Sequence, residues 1–341
     1  MEAVGMPDMP KTLDEFTDLL RAFKTKDPNG NGKADEIPIS SSGNVYWYNP
    51  IVTCFGLPAV WWLEDANQQV YHAVTTQNYK DYLSWSNMIY KEGLLDKRTP
   101  TSTIGDEKIE ADMKAGLVGM LYTASITWMD PELAPQFTGF VPVPYGDNAT
   151  GVWPRGENIR EGTFAITDKC KYPRAMMRWI NYFGYTEEGS HYMDLGKEGE
   201  TWKMENDVAV EINRPEGMTA EEYINTWSIQ GMHYYPGFYN DFKSRHTDDP
   251  ILKEVIKARE QLKPITVNHI CDYSLTAEES EAVSVIATEL ESYIVNSEAK
   301  FIMGEMSVEK DWDKYQQTLK DIGIEKNREV IQAAVNRFYG K

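Results

Sequence analysis

Residues 27–36 read DPNGNGKADE, a stretch in which side chains bearing oxygen atoms stand at the alternating positions 27, 29 and 31. Asp27, Asn29 and Asn31 follow the spacing of the first half of an EF-hand loop, where residues 1, 3 and 5 surround one cation. Gly32 stands at the sixth position, where such a loop turns sharply. Oxygen ligands suit calcium better than magnesium, which demands a smaller octahedron, or zinc, which prefers His and Cys.

The second half of this stretch supplies the remaining ligands of a predicted calcium site. The complete set is Asp27, Asn29, Asn31, the main-chain carbonyl of Lys33, Asp35 and Glu36. The last acid stands at position ten, whereas an EF-hand places it at twelve, and no second loop of this kind occurs. The pattern therefore indicates a structural clip and not a calcium switch. The alternative is a surface turn of Asn, Gly and Asp without metal, but such a turn does not require the strict alternation.

Helical patterns lie on both sides of the loop. Thr12 and Glu15 form a T-x-x-E capping sequence, after which apolar residues at 13, 16, 19, 20 and 23 share one helical face. Further helices are expected over 77–92, around 312–322 and 330–338, and from Pro173 through Met176, Trp179, Ile180 and Phe183 to Gly184. Another helix is expected to begin at the capping pair Thr276 and Glu279, and its buried stripe is predicted to consist of Ala282, Val285, Ile286, Tyr293 and Ile294. Short apolar runs over 118–122, 139–143 and 163–167 predict strands, and their alternation with helices favours an α/β fold.

Composition narrows the classes of partner. The chain has 341 residues, enough for two lobes, and a formal net charge of -19. A chain this acidic is repelled by nucleic-acid phosphates and anionic lipid, so neither is an expected partner. Cys54, Cys170 and Cys271 lie far apart without metal-binding or redox spacing and are expected to be buried free thiols.

The loop and its neighbours resemble the family 1 extracellular solute-binding proteins of ABC importers, in particular the lipoprotein and alginate-oligosaccharide-binding branch. The resemblance rests on PKTLDEF at 10–16, the loop with KADEIP, YKEGLLDKRT at 90–99, GKEGETW at 196–202, and DWDKYQQTLKDIGIEK with the closing RFYGK. It implies a periplasmic-binding-protein-like type II fold with two lobes, a ligand cleft and an incomplete first lobe. Family members carry a signal peptide, a lipidated cysteine and the opening βα units ahead of this helix, so an N-terminally truncated chain is expected.

The resemblance also implies a division of the chain and a function. Residues 1–155 are expected to form most of the second lobe with the calcium loop, 156–190 to cross to the first lobe, and 191–341 to complete the second lobe with C-terminal helices. The expected protein is a monomeric sugar or oligosaccharide receptor that serves ABC permease subunits, and its full-length form is an extracellular, cell-surface lipoprotein. The GKEGETW run, with two glycines, indicates a structural turn.

A sugar cleft should combine aromatic rings, which stack on C–H faces, with polar side chains that bind hydroxyl groups. Trp128 matches the position where family members commonly present a stacking ring. Trp153 and Arg155 lie in the glycine-rich stretch GVWPRGEN, where loops commonly carry function. Weaker candidates are Trp47, Trp227 and Tyr235 with its neighbour Tyr234, and for each of these core packing is the alternative.

An enzyme is the less favoured class. A glycosidase needs only two carboxylates, but with 53 Asp and Glu residues some pair can always be nominated. The sequence has no G-x-S-x-G, P-loop or G-x-G-x-x-G motif. A calcium-stabilised surface interaction protein is the other alternative, although a duplicated loop would be expected there. We therefore expect a receptor without catalytic residues.

Overall fold

A computed structural model of the chain describes residues 1–41, 51–102, 107–122, 136–146, 151–154, 164–218, 220–227, 246–247 and 250–341. The helices are α1 (Leu13–Thr25), α2 (Ile51–Cys54), α3 (Gln77–Lys91), α4 (Glu107–Lys114), α5 (Pro173–Tyr185), α6 (Glu187–Leu195), α7 (Ala220–Trp227), α8 (Pro250–Leu262), α9 (Ala277–Met303), α10 (Trp312–Ile322) and α11 (Ile324–Phe338). The strands are β1 (Ile37–Ser41), β2 (Trp62–Glu64), β3 (Val70–His72), β4 (Val118–Tyr122), β5 (Trp153–Pro154), β6 (Trp202–Glu205), β7 (Val208–Glu211) and β8 (Thr266–Val267). Within this described part, no helix is long and apolar enough to cross a membrane.

The chain divides into two compact units. Unit 1 comprises Met1–Arg155 and Ala258–Lys341, and unit 2 comprises Gly156–Lys257, so unit 2 is an insertion between the two segments of unit 1. The predicted return to the second lobe after residue 190 stays a prediction, and the second segment of unit 1 begins at Ala258. Residues after 190 stay in unit 2 because they pack there: the Trp202 indole N–H donates to the Gly196 carbonyl, and Tyr223 Oη–H donates to the Ile212 carbonyl.

Unit 1 contains a large buried core between its helices and short sheets. β1 pairs in parallel with β4, β2 is antiparallel to β3, and β5 pairs in parallel with β8. α9 packs against α3, α10 and α11, so residues near both ends of the chain share one core. Its fully buried side chains include Phe16 of α1, Tyr79 of α3, Phe301 of α9 and Leu319 of α10.

The helix predictions are confirmed in place, and the buried face predicted for one helix is partly wrong. α1, α3, α5, α10 and α11 lie where the capping residues and periodicity put them, and Thr276 and Glu279 form a complete capping box at α9. In α9, Ile294 is buried as predicted, and Ile286 and Tyr293 pack against the core. Ala282 and Val285, however, are exposed, Val285 to 75%, while Val283 and Leu290 are buried. Apolar residues occur on more than one side of this long helix, so contacts with α3 and α11 decide its buried face.

The strand predictions are confirmed at one place. β4 occupies residues 118–122 as expected. Residues 139–143 form no strand, and 164–167 form none either, while residue 163 lies outside the described residues. Pro142 and Pro144 explain the first difference, because proline lacks the N–H group that a ladder needs. Short strands β1, β2, β3, β6 and β7 were not predicted from the sequence.

Unit 2 holds α5, α6, α7, the β6–β7 hairpin and the first part of α8. The hairpin is antiparallel, and Asn206 and Asp207 at its tip adopt positive φ angles of 50° and 66°. The Gly196–Trp202 run precedes it as a tight turn in which Gly199 N–H donates to the Trp202 carbonyl at 2.7 Å. The predicted structural role of this run is confirmed.

Candidate metal centre and ligand-binding residues

The predicted calcium loop connects α1 to β1, and both of these elements are anchored in the core. α1 ends at Thr25, and seven of its residues are buried. β1 begins at Ile37, whose N–H donates to the Leu117 carbonyl at 2.8 Å. Because its two ends are held by buried elements, the loop has a fixed entry and exit.

The first half of the loop folds around its own side-chain oxygens. The Asp27 carboxylate accepts hydrogen bonds from Asn31 N–H at 3.0 Å and Gly32 N–H at 2.9 Å. Asn29 Oδ1 accepts from Asn31 N–H at 3.0 Å, and Asn31 Oδ1 accepts from Lys33 N–H at 2.7 Å. These Asx interactions gather the oxygens of positions 1, 3 and 5 within one turn.

Left-handed backbone angles make this turn possible. Asp27, Gly30 and Gly32 have φ angles of 47°, 69° and 74°. Gly30, whose N–H donates to the Asp27 carbonyl at 3.1 Å, is a position that sequence reasoning missed. The Pro-Asn-Gly sequence that ends at Gly30 is the available signal, since glycine is the residue best suited to positive φ.

The surroundings of the last two acids of the loop, Asp35 and Glu36, show whether a cation fits there. Asp35 Oδ1 accepts from the Asn31 side-chain amide at 3.0 Å. Glu36 Oε1 is buried and has no hydrogen-bond partner among the described residues. A buried carboxylate oxygen without a partner is costly, and a calcium ion bound by the loop would satisfy it. The residues present therefore fit calcium.

The donor types explain why the loop does not look like a cluster of acids. Among the residues that the structure describes, no group of three or more His, Cys, Asp and Glu side chains is placed to hold a metal ion. Half of the six predicted ligands are amide or main-chain oxygens, namely those of Asn29, Asn31 and Lys33. Such oxygens are ordinary calcium ligands.

Two of the predicted sugar-binding residues lie in the described part of the chain, and they belong to different units. Trp153 is partly exposed in β5 of unit 1, paired with Thr266. Trp227 ends α7 in unit 2, and a Cβ added at Gly196 would lie 3.0 Å from its ring. Its indole nitrogen is buried without a hydrogen-bond partner there. Trp47, Trp128, Arg155, Tyr234 and Tyr235 lie outside the described residues.

The three thiols are free, but the prediction that they are buried holds for Cys54 alone. Cys54 is fully buried, whereas Cys170 and Cys271 are partly exposed. Burial raises the pKa of the Cys54 thiol to about 12. Burial, followed by the adjacent Glu64 carboxylate, raises the pKa of Cys271 to about 11. Neither of these two thiols has the lowered pKa that marks a nucleophile.

Sequence comparison finds relatives along most of the chain, although no family model matches it. Over 93% of the chain, 22% of residues are identical to FusA, the fructooligosaccharide ABC transporter substrate-binding protein of Streptococcus pneumoniae. Over 96%, 23% are identical to YtcQ of Bacillus subtilis, a polygalacturonan/rhamnogalacturonan-binding protein. A stretch of 102 residues, 28% of the chain, is 37% identical to the lipoprotein LipO of B. subtilis, 20% of which it covers. The chain spans 60% of the length of FusA and 64% of that of YtcQ.

Solved structures establish the class of fold. A human milk oligosaccharide-binding protein of Bifidobacterium longum infantis superposes with a TM-score of 0.73 at 20% identity, over 98% of this chain and 72% of that one. FusA in complex with kestose gives 0.73 at 20% identity, over 99% and 70%. The alginate-binding protein AlgQ2, solved without calcium ion, gives 0.65 at 21% identity, over 96% and 68%. FusA has also been solved as an EF-hand mutant.

The fold is that of the two-lobed solute-binding proteins, as the sequence resemblance implied. The chain is a sequence relative of FusA, a substrate-binding protein of an ABC transporter, and of YtcQ, a protein that binds polygalacturonan and rhamnogalacturonan.

Proposed function

We propose that this protein is the substrate-binding component of an ABC transporter and binds an oligosaccharide for delivery to a membrane permease. The similarity to two sugar-binding proteins over more than nine-tenths of the chain carries this proposal. The mechanism we propose is lobe closure, in which the ligand binds between two lobes and the closed form docks on the permease. The protein would act as a monomer outside the cell, held at the surface as a lipoprotein.

The ligand-binding groups in this proposal are Trp128, Trp153, Trp47, Trp227, Tyr235 and Arg155. Aromatic rings offer apolar faces to the C–H surfaces of a sugar, and the guanidinium group of Arg155 donates to hydroxyl oxygens. Trp153 supports the assignment because its ring is partly exposed and not lost in the core. Trp227 is the weakest of the set, because its indole nitrogen is buried.

We further propose that Asp27, Asn29, Asn31, the Lys33 carbonyl, Asp35 and Glu36 bind one structural calcium ion. The Asx interactions and the unpartnered Glu36 oxygen support this assignment. A bound calcium ion would supply positive charge that neutralises the three carboxylates and ties the end of α1 to the start of β1. In this proposal the calcium ion does not contact the sugar and has a structural role.

The test is a binding experiment with fructo-, galacturono-, alginate- and milk oligosaccharides. Binding is measured by tryptophan fluorescence and by calorimetry. We expect saturable binding of at least one class without release of reducing ends. Trp128→Ala should weaken binding by about tenfold, since loss of ring stacking costs about 1.4 kcal/mol. Tyr185→Ala, which removes an exposed aromatic residue outside the proposed site, should leave the affinity unchanged.

Two results would contradict the proposal. Turnover of a bound sugar would favour a glycosidase, which consumes its ligand. Failure to bind any of the sugars, with calcium binding intact, would favour a calcium-stabilised interaction protein. Calcium binding and sugar binding are thus measured separately.

A further inference from the structure

The loop at 27–36 contains two Asn-Gly dipeptides, and no other occurs in the sequence. Asn29 precedes Gly30, Asn31 precedes Gly32, and all four residues are exposed. Asparagine is a chemically labile residue, and it reacts most readily before glycine, which has no side chain to hinder attack by its own backbone nitrogen. The loop therefore holds two candidate sites for deamidation.

Deamidation of such a dipeptide proceeds by cyclisation within the chain. The backbone nitrogen of the glycine attacks the side-chain amide carbon of the asparagine, forms a bond to Cγ and loses its proton to water. The bond between Cγ and Nδ2 breaks, and Nδ2 leaves as ammonia. Water then opens the cyclic imide at one or the other carbonyl group, which gives aspartate or isoaspartate. The reaction consumes water and needs neither a cofactor nor an oxidant.

Asn31 is held against this reaction by two carboxylates. Its side-chain Nδ2 donates to Asp35 Oδ1 at 3.0 Å, so the group that must leave is bound. The Gly32 N–H, which carries the attacking nitrogen, donates to the Asp27 carboxylate at 2.9 Å. Hydrogen bonds to charged groups are stronger than those between neutral groups, and both of these must open before the reaction is complete.

Asn29 lacks these two restraints. The Gly30 N–H donates to the neutral main-chain carbonyl of Asp27 at 3.1 Å. Among the described residues, the side chain of Asn29 hydrogen-bonds through Oδ1, which accepts from Asn31 N–H at 3.0 Å, and its Nδ2 is left to water. Asn31 Oδ1 accepts a similar bond from Lys33 N–H at 2.7 Å, so the contacts of the oxygens do not separate the two asparagines. The difference lies in the attacking nitrogen and the leaving group.

We propose that Asn29 is a deamidation site, with the Gly30 nitrogen as the attacking group, and that the Asp27 and Asp35 carboxylates protect Asn31. Isoaspartate at position 29 would add a methylene group to the main chain inside the turn. Asn29 is also a proposed calcium ligand, so the modification would alter that site, a consequence that rests on the proposed calcium binding.

The experiment incubates the whole chain at mildly alkaline pH with chelator and without sugar, so its outcome depends on neither proposed ligand. Peptide mapping by mass spectrometry follows each asparagine over time, and electron-transfer fragmentation distinguishes aspartate from isoaspartate. In the native protein, Asn29 should convert faster than Asn31 by about tenfold or more, because charge-assisted hydrogen bonds hold Asn31 and its glycine. In guanidinium, where these hydrogen bonds are lost, the two asparagines should convert at similar rates.

A variant tests the cause of the protection within the native loop. Asp35→Ala frees the side-chain amide of Asn31, so Asn31 should convert roughly fivefold faster than in the wild type. Asp313→Ala, at an exposed acid on α10, is the matched control and should leave both rates unchanged. Circular dichroism confirms that each variant is folded.

The rates also define what would overturn the proposal. Equal conversion of Asn29 and Asn31 in the native protein would do so, as would faster conversion of Asn31. Persistence of Asn29 in the native protein, over a time in which the unfolded chain converts it, would show that the hydrogen bond from Gly30 is sufficient protection. An unchanged rate at Asn31 in Asp35→Ala would contradict the protection assigned to that carboxylate.

Discussion

Glu298 is a carboxylic acid in the core of unit 1, where it is 2% exposed. Its two oxygens accept hydrogen bonds from the Tyr79 and Tyr82 hydroxyl groups at 2.9 and 2.8 Å. Burial raises the pKa of Glu298 to about 7, and the two tyrosine hydrogen bonds partly oppose this shift. The folded protein therefore keeps a proton on this residue at a pH where the unfolded chain has lost it.

A pH dependence of stability follows from this residue. The pKa of Glu298 is about 7 in the folded protein, and its ordinary value is 4.5. The contribution of Glu298 to the free energy of unfolding is therefore fully present below pH 4.5 and is lost as the pH rises to 7. The loss is about 3 kcal/mol. Chemical unfolding across this range should show a smaller decline for Glu298→Gln than for the wild type. Glu305→Gln, at an exposed acid, is the control, and equal slopes in all three proteins would contradict the prediction.

Glu36 gives a second prediction at the residue scale. With chelator, Glu36→Gln should be at least as stable as the wild type, because it removes a buried carboxylate oxygen that lacks a partner. With calcium at a hundredfold excess over Kd, the wild type should gain about 2.7 kcal/mol and the variant much less. Chemical unfolding measured with chelator tests the expected stability of the variant, and the same measurement with calcium tests its smaller gain.

The control for this prediction is Lys33→Ala, which keeps the main-chain carbonyl that is the proposed ligand. It should retain the calcium-dependent gain in stability. An equal gain in Glu36→Gln would remove Glu36 from the ligand set, and no gain in the wild type would contradict the site itself.

At the scale of elements, α1 and β4 meet at a glycine. A Cβ added at Gly119 would lie 2.6 Å from Cδ2 of Phe23, closer than packed atoms approach. Gly119→Ala should therefore destabilise unit 1 by about 2 kcal/mol through overpacking. Thermal or chemical unfolding measures this loss. The double variant Gly119→Ala/Phe23→Leu should be less destabilised than the sum of its single variants, and strict additivity would contradict the proposed clash.

Helices were predictable from the sequence because their signals are local. Thr12 and Thr276 each accept the expected hydrogen bond from the N–H group three residues on. Even there a detail differed: the Glu15 carboxylate accepts from Lys11 N–H and not from Thr12 N–H. The short strands depend on partners far away in sequence, as in the β1–β4 pair, so no local pattern reveals them.

The candidate site residues also differ in whether a local sequence pattern predicts them or they depend on contacts distant in sequence. The proposed calcium loop is contiguous, so its spacing alone predicts a set of ligands. Trp153 and Trp227 lie in different units, so their use in one ligand site depends on tertiary arrangement that spacing does not encode. The exposure of Met176 and Trp179 on α5 is likewise unpredictable from the sequence, because periodicity identifies an apolar face but not what covers it.

For the whole molecule, the core of unit 1 depends on the end of the chain. Ile331, Ala334 and Val335 of α11 are buried, and Val70 N–H donates to the side chain of Gln332 at 2.8 Å. Deleting residues 324–341 should abolish cooperative unfolding and the near-ultraviolet circular dichroism of unit 1. Deleting only Gly340 and Lys341, which are exposed, should change neither. A cooperative transition in the longer deletion would contradict this prediction.

The insertion of unit 2 within unit 1 also determines the order in which the two units can be completed during translation. A ribosome releases residues 156–257 before it has made the helices that close the core around Tyr79. Residues 1–155 must therefore wait, with Phe16, Tyr82 and their neighbours still exposed, until α9, α10 and α11 have been made. We expect a nascent chain of this kind to bind chaperones during this interval, because side chains made early are buried late.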